Sequence, residues 1–337
     1  MNVSMWGKAL RTIPRITTEE WNGLDIISKW LIASRAGVLI ITFISAGIAG
    51  LLALRDGKFN VGLWLLLTFG LLMAHATNNL LNDVTDFKKG VDRDNYFRAQ
   101  YGPQTLTHGL LTMRQILAYA AVSGMLALAA GSYLVALRGP LALWLLAMGA
   151  FFVLFYTWPL KYIGLGELAV VLVWGPLMIG GGYFVITGGW NWNVVLAGLP
   201  YALGATSVIF GKHIDKYEGD KAKRIFTLPV LIGERLARYA VAGMMVAQYA
   251  LVVYLVVIGF FSPVLLVVFF AAQVFVQVWK VYSQPKPAAP PAEYPAGAWP
   301  LWFVAFAFQH NRRFGLLFLL GLLADLAWRG IALLIAR

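Results

Sequence analysis

The chain has 337 residues, 60% of them hydrophobic and 12% charged, yet its 27 Lys and Arg outnumber 15 Asp and Glu to give a formal net charge of +12. Soluble domains draw about a quarter of their residues from the charged set, so this composition excludes disorder and leaves little room for a water-soluble enzyme. The absence of cysteine removes disulfides, thiol catalysis and Cys-ligated zinc or iron–sulfur centres, while the 13 Trp suit a protein anchored at two lipid–water interfaces.

Residues 1–35 carry Lys8, Arg11, Arg15, Glu19 and Glu20 without a compact apolar run or a small-residue cleavage site, so they do not read as a signal peptide. Thr17 and Glu20 have capping-box spacing, and 18–33 reads as one short amphipathic helix offering Trp21, Ile26, Ile27 and Trp30 to the interface. Nine apolar runs follow, near 36–54, 61–82, 116–136, 140–157, 166–187, 193–211, 238–259, 262–282 and 314–334. Each approaches the roughly 20 residues that cross a ~30 Å hydrocarbon core as a helix. They lack the alternation of membrane β-strands. The expected fold is all-α and polytopic, with a cytoplasmic segment over 1–35 and a single transmembrane domain of nine helices over 36–337. A Pro- and Ala-rich stretch, Gln284 to Pro300, precedes the ninth span.

With these spans, Arg55, Lys58, Arg138, Arg329 and Arg337 fall on one side of the membrane and every other Lys and Arg on the opposite side. The positive-inside rule makes the richer side, with the N-terminus, cytoplasmic. Charges stacked on one membrane face are not a surface for nucleic acid.

The acids are just as uneven. Asp83, Asp86, Asp92 and Asp94 follow the second span, and Asp215, Glu218 and Asp220 follow the sixth, all among Lys and Arg. On a continuing helix Asn79, Asn82, Asp83 and Asp86 fall at i, i+3, i+4 and i+7, which is one face. Asn78, Asn79 and Asn82 are costly in lipid and belong to the bundle interior. Oxygen-only ligands select hard cations, and Mg²⁺ characteristically takes one or two carboxylates plus substrate phosphates. Interleaved Lys and Arg can hold the same phosphates. His75, about one turn before Asn78, and His213, beside the second stretch, are further candidates, whereas His108 and His310 read as surface residues.

At these residues the sequence resembles the UbiA superfamily of intramembrane prenyltransferases. Asn82-Asp83-x-x-Asp86 followed by Lys-Lys-Gly90-Val-Asp92 looks like its first aspartate-rich motif, and the stretch from Asp215 to Thr227-Leu-Pro-Val230 and Gly233 looks like its second. Gly102-Pro103, Gly109-Leu-Leu-Thr112, the run from Tyr156 to Glu167, and Gly175-Pro176 resemble the branch of 1,4-dihydroxy-2-naphthoate polyprenyltransferases of menaquinone synthesis.

The resemblance implies nine helices around a central cavity in a prokaryotic cell membrane, with both motifs facing each other at the cytoplasmic side. It implies Mg²⁺ as cofactor, and a polyprenyl diphosphate and an aromatic small molecule as substrates, within membrane lipid. By this account Asp83 and Asp86 with Asp92 serve one ion, and Asp215 with Glu218 or Asp220 the other. Asn79 and Asn82 orient carboxylates or add ligands. Lys88, Arg98, Lys161, Lys212 and Lys221 contact phosphate, and Phe152, Phe155, Tyr156 and Trp158 offer π-faces to a carbocation.

Three departures stand out. Asp215 and Asp220 are five apart where the family has four. Arg35 is followed by Ala36-Gly37 where Arg-Pro is frequent, and the chain beyond 283 exceeds the shorter family pattern. Alternative readings are a UbiA-type enzyme with a 4-hydroxybenzoate, homogentisate or phosphoribosyl acceptor, and a cation-coupled transporter. Transporters place their sites at mid-membrane in repeated halves, a pattern absent from this sequence.

Overall fold

A computed structural model describes residues 2–12, 14–90, 103–295 and 298–335, and all regular secondary structure among them is helical. Three short helices come first: α1 (Val3–Arg11), α2 (Thr18–Asn22) and α3 (Ile26–Ala33). The capping box at Thr17 and Glu20 is present. The single helix expected over 18–33 is instead broken after Asn22, because Asp25 restarts the chain as a new N-cap. Its Oδ1 accepts the N–H groups of Ile27 and Ser28 at 3.0 Å each. α1, which the hydropathy pattern did not reveal, docks on the same carboxylate through the Asn2 N–H at 2.8 Å and the Trp6 indole at 3.1 Å.

The longer helices are α4 (Ile40–Arg55), α5 (Val61–Lys88), α6 (Met113–Arg138), α7 (Pro140–Phe155), α8 (Gly166–Thr187) and α9 (Trp192–Asp215). Two short helices, α10 (Tyr217–Ala222) and α11 (Leu228–Ile232), lead to α12 (Glu234–Val257), α13 (Pro263–Tyr282) and α14 (Phe303–Ile335). Among the described residues eight helices are long and apolar enough to cross a membrane. The ninth expected span is α7, whose 16 residues rise only about 24 Å. α14 begins eleven residues earlier than its apolar run, so the polar stretch His310 to Arg313 lies inside a helix. His310 is therefore fully buried rather than on the surface, where its Nε2 meets the Tyr249 hydroxyl at 2.9 Å.

The chain forms two compact units, Met1–Ala46 with Val61–Pro159 and Gly47–Asn60 with Leu160–Arg337. In the first, α5 packs along α6. The N-terminal helices close over one end, where Trp21, Ile32, Leu80 and Ile116 share an apolar core. Trp30 ties α3 to α6 by donating its indole N–H to Ser123 Oγ at 2.9 Å.

In the second unit α9 is central, flanked by α8, α12 and α14. Its approach to α8 needs small residues, since a Cβ on Gly180 would lie 2.7 Å from Val195 Cγ2 and one on Gly198 3.0 Å from Ile179 Cβ. α8 carries a wide π-helical stretch over Val173–Gly180 around Pro176. At one end, Arg55 and Arg329 both donate to the Phe260 carbonyl, at 3.0 and 2.9 Å. Two of the five cations assigned to the sparsely charged side thus converge on one acceptor.

The N-terminal docking has a defined pH response. Partial desolvation disfavours the charged Asp25 carboxylate. Hydrogen bonds from the Ser28 and Asn2 backbone, the Ser28 hydroxyl and the Trp6 indole outweigh it and hold the carboxyl well below the usual range. A depressed folded-state pKa contributes stability that is complete above the unfolded value, about 4, and is lost as pH falls through the lower folded value. Trp6 fluorescence should therefore stay constant from neutrality to about pH 4 and change only in stronger acid. Asp25→Ala should give the acid-type spectrum at neutral pH.

Candidate functional site

α5 continues unbroken through the first acidic stretch, so the inferred face exists. Asp83 and Asp86 are 3% and 4% exposed, and a carboxylate buried to that degree requires charge-assisted or hydrogen-bonding partners. Arg35 supplies the first: its Nη2 lies 3.0 Å from Asp83 Oδ1 and donates to the Asn79 carbonyl at 3.0 Å. Arg35 adopts φ +56°, in the left-handed region, a conformation that costs a non-glycine residue about 1 kcal/mol or more.

Asn82 serves the other carboxylate. Its Nδ2 donates to Asp86 Oδ2 at 3.1 Å while its Oδ1 accepts the Thr157 hydroxyl at 3.1 Å. Asn79 and Asn78 donate to the carbonyls of Ser34 and Val153 at 2.8 and 2.9 Å, so the three amides do face the protein interior. His75 Nδ1 lies 2.7 Å from Thr42 Oγ1. Lys88 is exposed, and the neighbouring Lys89 sits 5.2 Å from the Trp158 ring centre. Asp92 and Arg98 lie outside the described residues.

The second stretch is divided by a break at Lys216 between α9 and α10, and its three acids diverge. Asp215 ends α9 and accepts the backbone N–H groups of Phe303 and Val304, each at 3.0 Å. Glu218 is exposed. Asp220 is 1% exposed; its Oδ1 lies 3.0 Å from Lys216 Nζ, and its Oδ2 is buried without a hydrogen-bond partner. Lys212 is half-buried, whereas Lys221 is exposed, 5.9 Å from the Tyr217 ring centre. Lys161 is buried.

One pairing in this unit was not legible from spacing. His213 Nδ1 lies 2.6 Å from Glu167 Oε1, both side chains nearly inaccessible, and Glu167 Oε2 accepts the Leu228 N–H at 3.4 Å. The dyad ties the start of α8 to the end of α9 and to α11. Glu167 and His213 each sit in a motif that the sequence singles out, but 46 residues separate them. Lys286, 3.4 Å from Asp215 Oδ1, and Thr157 were missed for the same reason.

Among the described residues no three Asp, Glu or His side chains gather into one metal cage. A hard cation that retains waters and takes one or two carboxylates together with phosphate needs no such cage. Asp83 and Asp86, both oriented, and the unpartnered buried Oδ2 of Asp220 are donors of that kind. The oxygen chemistry fits Mg²⁺.

A model described as the UbiA prenyltransferase family matches residues 42–306. The chain is 28% identical over 258 residues to the 1,4-dihydroxy-2-naphthoate octaprenyltransferase of Bacillus subtilis (strain 168), covering 74% of this chain and 81% of that protein. It is 25% identical over 234 residues to the UbiA prenyltransferase domain-containing protein 1 homolog of Drosophila melanogaster, covering 67% of this chain and 64% of the fly protein. Among solved structures it resembles the apo form of a UbiA homolog from Aeropyrum pernix K1, with a TM-score of 0.63 at 20% identity over 84% of this chain and 97% of that one. A UbiA homolog from Archaeoglobus fulgidus bound to GPP and Mg²⁺ gives a TM-score of 0.50 at 14% identity, over 82% of this chain and 98% of that one. At these identities the structural likeness establishes the fold.

The Glu167–His213 dyad makes a stability prediction. Removing one member of a buried pair strands the other and costs about 3–5 kcal/mol, while removing both costs far less than the sum. Glu167→Leu should markedly lower the melting temperature in detergent, and the double variant Glu167→Leu/His213→Leu should recover part of that loss.

Proposed function

Because the chain belongs to the UbiA prenyltransferase family, we propose that it transfers a polyprenyl group from an isoprenyl diphosphate to an aromatic acceptor in a Mg²⁺-dependent reaction. The acceptor is 1,4-dihydroxy-2-naphthoate, and the setting is menaquinone synthesis at the cytoplasmic face of a prokaryotic membrane. The observation that carries this reading is the pair of buried carboxylates on α5, each held by its own partner at the end of a membrane helix. Ionisable groups kept at such cost in a bundle mark functional sites. The naphthoate acceptor is supported by the Bacillus relative, the donor by the ligands of the Archaeoglobus homolog, and the orientation by the one-sided distribution of Lys and Arg.

In this reading Asp83 and Asp86, with Asp92, hold one Mg²⁺, and Asp220 serves the second. When bound, the ions supply positive charge to the leaving diphosphate. Lys88, Arg98, Lys161, Lys212 and Lys221 bind phosphate oxygens. Arg35 and Asn82 keep the carboxylates fixed, so that little reorganisation accompanies charge separation. The allylic C–O bond breaks with its electron pair departing on the diphosphate. The resulting carbocation is captured by an electron-rich ring carbon, which then loses its proton. Apolar helix walls exclude water that would otherwise quench the cation, and the π-faces of Phe152, Phe155, Tyr156 and Trp158 are available to stabilise it.

The protein reconstituted in liposomes with a polyprenyl diphosphate and 1,4-dihydroxy-2-naphthoate should release diphosphate and form the prenylated naphthoate with Mg²⁺ but not with EDTA. Parallel reactions with 4-hydroxybenzoate test the acceptor. Asp83→Asn should lower turnover at least about 100-fold, and Asn82→Ala, which removes only the orienting amide, about tenfold. Absence of Mg²⁺-dependent diphosphate release by folded protein with either acceptor refutes the reading.

A further inference from the structure

Asp215 differs from the other acids of its stretch. Both of its oxygens already accept backbone N–H groups, from Phe303 and Val304 at 3.0 Å, and these are the first two residues of α14. The opening N–H groups of a helix have no acceptor within it, and an acid placed there is favoured by the positive end of the helix dipole.

The contact is fixed from a second direction by close backbone approach. A Cβ on Gly211, one turn before Asp215, would lie 3.0 Å from both the Phe303 carbonyl oxygen and Val304 Cα, and 2.7 Å from Tyr282 Oη. Tyr282 itself donates its hydroxyl to the Phe303 carbonyl at 2.7 Å. Lys286 brings the segment before α14 to the same place: its ammonium lies 3.4 Å from Asp215 Oδ1 and 4.9 Å from the Trp299 ring centre, and it donates to the Pro300 carbonyl. The positive end of a helix and an ammonium therefore already neutralise this carboxylate. Both oxygens are engaged by donors from the chain, and a divalent cation would have to displace them. Asp220 differs in one respect: Lys216 Nζ lies 3.0 Å from its Oδ1, but its buried Oδ2 has no hydrogen-bond partner.

We propose that Asp215 is a positioning residue that fastens the start of α14 and Lys286 to the end of α9, and that cation binding in this stretch falls to Asp220. The assignment goes against the motif resemblance, which makes Asp215 a ligand. The cation half rests on the prenyl-transfer reading, whereas the anchoring half stands without it.

Full-length protein in detergent separates the two roles. Hydrogen exchange of the peptide carrying Phe303 and Val304 should accelerate about tenfold in Asp215→Ala and much less in Asp215→Ser or Asp215→Asn, which remain competent caps. Mn²⁺ binding in the presence of inorganic diphosphate, read by electron paramagnetic resonance, should be unchanged in Asp215→Ser and at least about tenfold weaker in Asp220→Asn. In turnover assays Asp215→Asn should keep the wild-type Mg²⁺ concentration for half-maximal rate, and Asp220→Asn should raise it.

Unchanged exchange at Phe303 and Val304 in Asp215→Ala overturns the anchoring role. Loss of Mn²⁺ from Asp215→Ser to the extent seen in Asp220→Asn overturns the cation assignment, as does wild-type protein that binds no Mn²⁺. Should Asp215→Ala fail to fold, recovery of folded protein in Asp215→Ser and Asp215→Asn upholds the anchoring role and failure of both to fold overturns it, while Asp215→Ser still carries the Mn²⁺ readout. A wild-type protein that binds Mn²⁺ yet transfers no prenyl group refutes the reaction while leaving the exchange result to judge the anchor.

Discussion

A carboxylate withdrawn from water must find compensation inside the protein, and the architecture of this chain follows from how that demand is met. Among the described residues the buried acids are Asp83, Asp86, Glu167, Asp215, Asp220 and Asp325. Arg35, Asn82, His213, the Phe303 and Val304 amides, Lys216 and the Ser262 amide answer them in turn. The partnerships that join separate segments, at Asp83, Glu167, Asp215 and Asp325, fix the rotation of a helix, which hydrophobic packing between uniformly apolar surfaces does not do. With few charges available, every buried one acts as a locating pin.

The pins are unequal in kind. Asp325 and Asp215 accept backbone N–H groups from neighbouring segments, an arrangement that joins elements. Asp83 and Asp86 are instead held by side chains, a strained arginine and an amide that is itself oriented by Thr157. That layered support keeps two acceptors fixed, which is the preorganisation the proposed reaction calls for.

Much of this was legible in the sequence. Apolar run lengths located the spans α4 to α6, α8, α9, α12 and α13, and the i, i+3, i+4, i+7 spacing put Asn79, Asn82, Asp83 and Asp86 on one face. The capping box at Thr17 and Glu20 was local enough to read directly. What stayed hidden was non-local or depended on backbone breaks. Thr157 is 75 residues from Asn82, and no periodicity links such partners. The break at Lys216 separates Asp215 from the other two acids, and Glu218 and Asp220, two residues apart on α10, point about 200° apart, one exposed and the other buried. The start of α14 was obscured because His310 to Arg313 looks like a polar boundary, although the Tyr249 hydroxyl makes His310 compatible with the interior.

The Asp215 contact also orders events during synthesis. Its acceptors wait for donors 88 and 89 residues further along the chain, a delay of roughly 5–20 s at ordinary elongation rates. Through that interval α9 must hold an uncompensated acid at its end, where water or a neighbouring lysine can attend it. Once the amides of α14 arrive, the carboxylate leaves solvent and the closing segment is secured. The same side chain is thus a liability to the nascent chain and the latch of the finished one.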